Sequence, residues 1–280
     1  MTVRDMPAIS ELASSMALRR LTAPLLALVE ARDLTWSWTL RIISARYEQS
    51  ILGWLWAVVQ PVSQVAIFTF VFTHFVRVDT GGVPYVLFSY AAITPWTFLA
   101  ASLTDMCSAI VDNMRLVTKI YFPREVLPIA AMLARLIDFG IAFLLTFVLI
   151  AYYRVPLHLG QLVWLPVVIA IQLALTLGIG LAASAANTFV RDVKPLLLLG
   201  LQLWFYASPI IYPVENVPTV LRSLYVLNPA VGILEGYRAI WLNRPMPMAW
   251  LECAGAMSLT CLVAGYWFFK KSEAVFSDIA

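Results

Sequence analysis

The chain has 280 residues, of which 61% are hydrophobic and 12% charged, with a mean hydropathy of +0.83 and a formal net charge of +3. A soluble domain carries about twice that charged fraction, and one soluble core cannot hide this much apolar surface, which excludes a water-soluble globular protein. The small net charge gives no nucleic-acid footprint, so the basic residues are read by position, as orientation signals.

Residues 1–53 read as a cytoplasmic N-terminal region. Arg4, Arg19, Arg20, Arg32, Arg41 and Arg46 make the stretch before Trp54 too polar to span. No cleavable signal peptide is expected, because the first apolar run, 21–29, is short and interrupted by Pro24. Within this region Asp33, Ser37, Arg41, Ser44 and Glu48 fall on one stripe of a helix, and Leu34, Trp38, Ile42 and Ala45 on another. A helix with a polar stripe, arginines and tryptophans is expected to lie in the membrane interface. The alternative is an amphipathic helix packed on a partner.

Residues 54–269 read as one transmembrane domain, followed by a cytoplasmic tail, 270–280. Six spans are predicted, at 54–76, 85–107, 129–151, 163–187, 195–210 and 249–269, the fifth of them short. With both termini inside, fourteen Lys and Arg lie on the cytoplasmic side. Five (Arg77, Arg154, Arg222, Arg238 and Arg244) lie outside, so the charge bias predicts this orientation. Segment 208–248 is broken by Pro209, Pro213, Pro218 and Pro229. It contains an apolar helical stretch, 229–242, with Asn228 as a natural N-cap and Pro229 as a first-turn residue. That stretch is too short to span and is expected to fold back into the outer mouth of a channel. The fold class is therefore all-α integral membrane. It comprises six transmembrane helices, an N-terminal amphipathic interfacial helix, and short re-entrant or periplasmic helices between helices five and six.

Missing motifs narrow the chemistry. No Gly is followed by Lys, so there is no Walker A phosphate cradle. His74 and His158, the only histidines, sit near predicted outer ends, so no His-based metal site and no catalytic constellation is expected. Cys107, Cys253 and Cys261 are too few and scattered for a disulfide framework and read as packing residues. Charges inside the bilayer need partners, and Arg135 and Asp138, three apart on one helix, are expected to pair locally. Ala174, Gly178, Ala182 and Ala186, with Gly180 and Ser184 beside them, predict close helix packing within one subunit or between two. Trp54, Trp56, Tyr85, Trp164, Trp250, Tyr266 and Trp267 read as the interfacial aromatic belt. A second set, Tyr90, Trp96, Phe98, Trp204 and Tyr206, lies deeper or beside the broken segment. It serves either as core or as stacking surface along a glycan path.

Three stretches carry a family resemblance. The first, Arg46-Tyr47-Glu48-Gln49-Ser50-Ile51-Leu52-Gly53, leads into Trp54-Leu55-Trp56 and Gln60-Pro61. The second is Phe122-Pro123-Arg124-Glu125-Val126-Leu127-Pro128. The third is Arg191-Asp192-Val193-Lys194, followed by Ser208-Pro209-Ile210-Ile211-Tyr212 and Asn228-Pro229-Ala230. In this order the chain resembles, from residue 30 onward, the permease subunit of ABC exporters for polysaccharides and polyol phosphates (O-antigen, capsule, teichoic acid). The resemblance implies a transport subunit of the cytoplasmic (inner) membrane, not an enzyme. It implies two permease copies working with two ATP-binding subunits, so that ATP and Mg²⁺ sit on the partner and no cofactor on this chain. It also implies an undecaprenyl-type lipid-linked polysaccharide as cargo. Loop 111–128 would be the element that docks into the ATPase together with the N-terminal region, through Arg115, Lys119, Phe122, Pro123, Arg124 and Glu125. Arg41 and Arg46 would face the pyrophosphate of the lipid carrier, although membrane lipid headgroups attract them equally. The competing readings are an ABC permease for a small lipid or drug, and a membrane-embedded glycan- or lipid-modifying enzyme. The enzyme would need clustered acids or histidines on one side of the bilayer, which this sequence lacks.

Overall fold

The computed structural model describes residues 30–48, 50–75 and 80–276. The expectations placed on the residues before 30, on Arg77 and on the end of the tail lie outside the described residues. Among those described, the secondary structure is entirely helical. Helix α1 is Arg32–Tyr47, and a 3₁₀ turn, Gly53–Leu55, leads into α2, Trp56–His74. Next come α3, Tyr85–Asp112, the short α4, Met114–Val117, and α5, Val126–Tyr153. The short α6, Leu159–Leu162, precedes α7, Leu165–Phe189, and α8, Val193–Tyr206. The chain closes with α9, Thr219–Tyr225, α10, Pro229–Trp241, and α11, Met248–Glu273.

Five of these units are long and apolar enough to cross a membrane: Gly53–His74, Tyr85–Asp112, Val126–Tyr153, Leu159–Phe189 and Met248–Glu273. The predicted fifth span corresponds to α8, only 14 residues long. A helix of that length rises about 21 Å at the usual 1.5 Å per residue, short of the roughly 30 Å hydrocarbon core.

The centre of the bundle is α3, packed on α2, α5, α7 and α10. Apolar residues lie all round it, as an enclosed helix requires. The Ser89 hydroxyl is absorbed locally, donating to the Tyr85 carbonyl at 2.8 Å, whereas the buried hydroxyls of Ser102 and Ser108 have no hydrogen-bond partner among the described residues. Pro95 lies inside α3, and its carbonyl accepts from Gln172 Nε2 of α7 at 2.8 Å. The other end of that amide, Oε1, accepts from Tyr237 of α10 at 2.6 Å, so one buried glutamine ties three helices together. The predicted small-residue stripe acts within one chain. A Cβ on Gly178 would collide with the backbone of Cys261 and Leu262, and one on Gly265 with the Gly178 carbonyl. Helices α7 and α11 therefore cross backbone to backbone.

Helix α1 packs on α5. Its buried face is Thr35, Thr39 and Ile43, not the apolar stripe read from the sequence. Of that stripe, Leu34 and Ala45 are exposed while Trp38 and Ile42 are half-buried. Threonines win the inward face because each hydroxyl can bond back into its own helix: Thr35 donates to the Ala31 carbonyl at 3.0 Å and Thr39 to that of Thr35 at 2.8 Å. With that polar group satisfied, the small side chains let α1 lie close to α5.

Candidate functional site

Four charges gather where the C-terminal end of α1 meets α3 and α5. Arg46 donates to Asp138 at 2.6 Å and to Asp105 at 2.9 Å. Arg135 donates to Asp105 through Nε at 2.7 Å and Nη2 at 3.2 Å. The local Arg135–Asp138 contact predicted from spacing is the longest of the set, 3.5 Å. Helix packing brings Asp105 to Arg135, and the pair becomes a neutral four-membered network that spacing along one helix does not reveal. Tyr47 completes it, donating to Asp138 at 2.7 Å. Burial first, and then that bond, push the Tyr47 phenol up to about 12. With two carboxylates already on it, Arg46 has little charge left for an external anion. Beside the network lies a cavity of about 210 Å³ lined by Tyr47, Trp56, Gln60, Thr97 and Phe98 among others.

The loop after α3 forms a second feature. Together with α1 it encloses a groove of about 650 Å³ lined by Trp38, Arg41, Asp112, Arg115 and Lys119. Arg41 lies 4.6 Å above the Trp38 ring. The groove thus carries three cations and one acid. It brings together Arg41, assigned by sequence to the lipid carrier, and Arg115 and Lys119, assigned to the ATPase. At its edge the apolar side chains of Ile120 and Tyr121 stand in solvent, Tyr121 fully. The sequence reading missed these two, and an apolar pair between Lys119 and Phe122 is the signal that could have found them. The remaining loop residues turn inward. Phe122 packs against the core, Pro123 is half-buried, and Glu125 is completely buried with Lys270 2.7 Å away.

The deeper aromatic set divides. Tyr90, Trp96 and Phe98 are buried in the core of the single chain. Tyr90 donates to the Ala142 carbonyl at 2.7 Å, Phe98 meets Phe139 with the rings tilted by 43°, and Trp96 meets Trp204 edge-on. Trp204 is half-buried and donates to Asn228 at 2.7 Å, while Tyr206 is exposed.

At the opposite end, α10 begins as its sequence requires: Pro229 opens it and the Asn228 side chain accepts from the Ala230 amide at 3.1 Å. The same asparagine donates to Ser208 Oγ at 3.0 Å and so joins α10 to the broken segment. Arg238, counted by sequence among the five basic residues outside, is completely buried. It pairs with Glu235 at 2.6 Å, donates to the carbonyls of Pro209 and Ile210 at 2.5 and 2.7 Å, and lies 3.7 Å over the Phe88 ring. Nearby, Glu215, Glu235, Arg244 and Trp250 line a cavity of about 500 Å³. No cluster of metal-ligating side chains occurs among the described residues.

Comparison with known proteins places residues 33–242 on the family model for ABC-2 type transporters. The O-antigen export system permease protein RfbA of Myxococcus xanthus is 32% identical over 255 residues, covering 90% of this chain and 96% of that protein. An O-antigen export system permease protein RfbA of Klebsiella pneumoniae is 28% identical over 85% of this chain and 91% of its own length. The polysialic acid transport protein KpsM of Escherichia coli is 24% identical over 70% of this chain and 76% of its own.

Proposed function

This chain belongs to the ABC-2 type transporter family, and on that premise we infer that it is the membrane-spanning subunit of an ATP-driven exporter of a cell-surface polysaccharide. The observation that carries the reading is the near full-length similarity to O-antigen export permeases. The cytoplasmic groove adds to it. Permeases of this family normally pair with an ATP-binding subunit, and a surface with Arg41, Arg115 and Lys119 around exposed Ile120 and Tyr121 suits an acidic, partly apolar partner. Arg115 and Lys119 then bind the ATPase directly, while Arg41 is shared between partner and anionic lipid.

In this reading two copies form the channel. Helix α8 supports it: Leu196, Leu198, Leu199 and Leu203 are exposed in the single chain, and a second copy and lipid would cover them. Helix α8 is then the fifth of six crossings, with α9 and α10 folded into the outer mouth, and both termini lie in the cytoplasm. Tyr206 and Trp204 offer ring surface to a sliding lipid-linked glycan, with Trp96, Phe98 and Tyr90 packed behind them. ATP binding on the partner moves the spans as rigid bodies through the groove.

Affinity purification from native membranes tests this. The expected product is a complex holding this chain and an ATP-binding subunit in equal numbers, with measurable ATP hydrolysis. Arg115→Glu with Lys119→Glu should weaken the association by about tenfold or more and make it sensitive to salt. Recovery of this chain without any ATPase would overturn the reading.

A further inference from the structure

We propose that the inner end of α11 belongs to the coupling device: Arg124, Glu125, Lys270 and Glu273 staple the cytoplasmic loop to the last span. The inference rests on the permease reading above, because it presumes that an ATPase pushes on that loop.

The staple joins residues far apart in the chain, with a separation of 149 between Arg124 and Glu273. The Arg124 amide donates to Glu273 Oε1 at 3.2 Å, and its guanidinium donates to the Glu273 carbonyl. Lys270 sits between two carboxylates, 2.7 Å from Glu125 Oε1 and 2.9 Å from Glu273 Oε2. Just beyond, Phe276 is fully buried against Phe189 and Phe269, with Arg124 lying 5.9 Å over its ring. Phe276 is thus wedged between the C-terminal end of α7 and the loop leading into α5.

Simpler roles explain part of this. Lys270 has the sign expected of a cytoplasmic residue, and an acid at position 125 suits the start of α5. Neither role requires the two to meet with Glu125 removed from water. A buried ion pair is poor value for stability, since desolvation offsets its Coulomb attraction. Here the carboxylate is also incompletely satisfied, because Oε1 meets Lys270 as an ion pair and neither Glu125 oxygen has a well-aligned hydrogen bond among the described residues. Such an arrangement fits a group retained to fix position.

What it fixes follows from the packing. Ile120 and Tyr121, the exposed tip of the loop, precede Arg124 by only a few residues. A loop held at its covalent ends alone would pass a push to α3 and α5. The staple delivers the same push to α11, and the backbone contact of Gly265 with Gly178 passes it to α7. Arg124, Glu125, Lys270 and Glu273 are positioning residues in this scheme, since none is required to touch cargo or nucleotide.

The test uses the complete complex with its ATPase and follows amide hydrogen exchange after addition of ATP and Mg²⁺. In the wild type, peptides from both the 113–125 loop and residues 262–273 should change exchange on ATP addition. In Glu125→Gln/Lys270→Met, which removes both charges so that neither is left buried alone, the loop should still respond. The response in 262–273 should fall about tenfold, a coupling of ordinary size. Glu273→Ala, at a position whose side chain is 22% exposed rather than fully buried, should act the same way if the double variant assembles poorly. Lys271→Met, whose ammonium lies 5.1 Å over Trp267 instead, should respond like the wild type. An undiminished α11 response in the staple variants overturns the proposal. So does a wild-type α11 that ignores ATP while the loop responds, or failure of both staple variants to assemble. A wild-type complex without ATPase would instead defeat the permease reading itself.

Discussion

Arg238 shows how a full charge is held inside this bundle. Every direction of its guanidinium is used: Glu235 neutralises it, the carbonyls of Pro209 and Ile210 accept from it, and the Phe88 ring lies beneath it. The broken segment cannot satisfy those carbonyls itself, because the prolines that break it also remove its regular hydrogen bonds. Arg238→Met should therefore cost about 3–5 kcal/mol, the range for stripping a buried pair of one partner. This would appear as an earlier loss of monodisperse protein on heating in detergent. Arg238→Lys should recover only part of that loss, because a single ammonium cannot reproduce a planar fork. Of the candidate residues named from sequence, Arg115 and Lys119 lie together on the groove, and Arg41 joins them. Arg46 and Glu125 are consumed by internal ion pairs whose other halves lie on distant helices, and no local spacing carries that information.

At the scale of single elements, local chemistry was legible wherever a helix end or a close crossing needs a particular residue. The predicted 229–242 stretch is observed as Pro229–Trp241, because an Asn cap and a first-turn Pro define that start whatever surrounds it. The small-residue stripe also meant what it suggested, although sequence left open which helix it met. Gly178→Ala or Gly265→Ala should force α7 and α11 apart and lower the folded yield sharply. Gly200→Ala and Gly140→Ala are the controls. An added methyl meets nothing within 4 Å there, so these should be neutral, or stabilising by up to about 1 kcal/mol from helix propensity. Thermal stability of the four purified variants decides it. The face of α1 was misread, because hydropathy ranks Trp38 and Leu34 above threonine, whereas packing at close range selects small side chains with satisfied hydroxyls.

For the whole molecule, the open quantity is the number of crossings, and it turns on α8. A helix of 14 residues spans only if the bilayer thins around it or its flanking residues extend the path. Tyr121 is fully exposed and Glu215 largely so, and α5, α7 and α8 lie between them. Single cysteines at these two positions, in a background lacking Cys107, Cys253 and Cys261, give a direct reading. If α8 crosses, membrane-impermeant thiol reagents should reach Tyr121→Cys only from the cytoplasmic side and Glu215→Cys only from the outer side. Labelling of both from one side would reduce the count to five.

Sequence alone determined the solvent this chain folds in, its helical class and the start of α10. Each of these depends on composition or on residues a few positions apart. Tertiary structure decided which charges are spent on one another, which face of α1 packs inward, and that the loop ahead of α5 is bound to the end of α11. Those outcomes depend on helices that meet only after folding. Among buried charges the partner matters more than the residue, because a neutralised arginine and a free one have the same sequence and opposite chemistry.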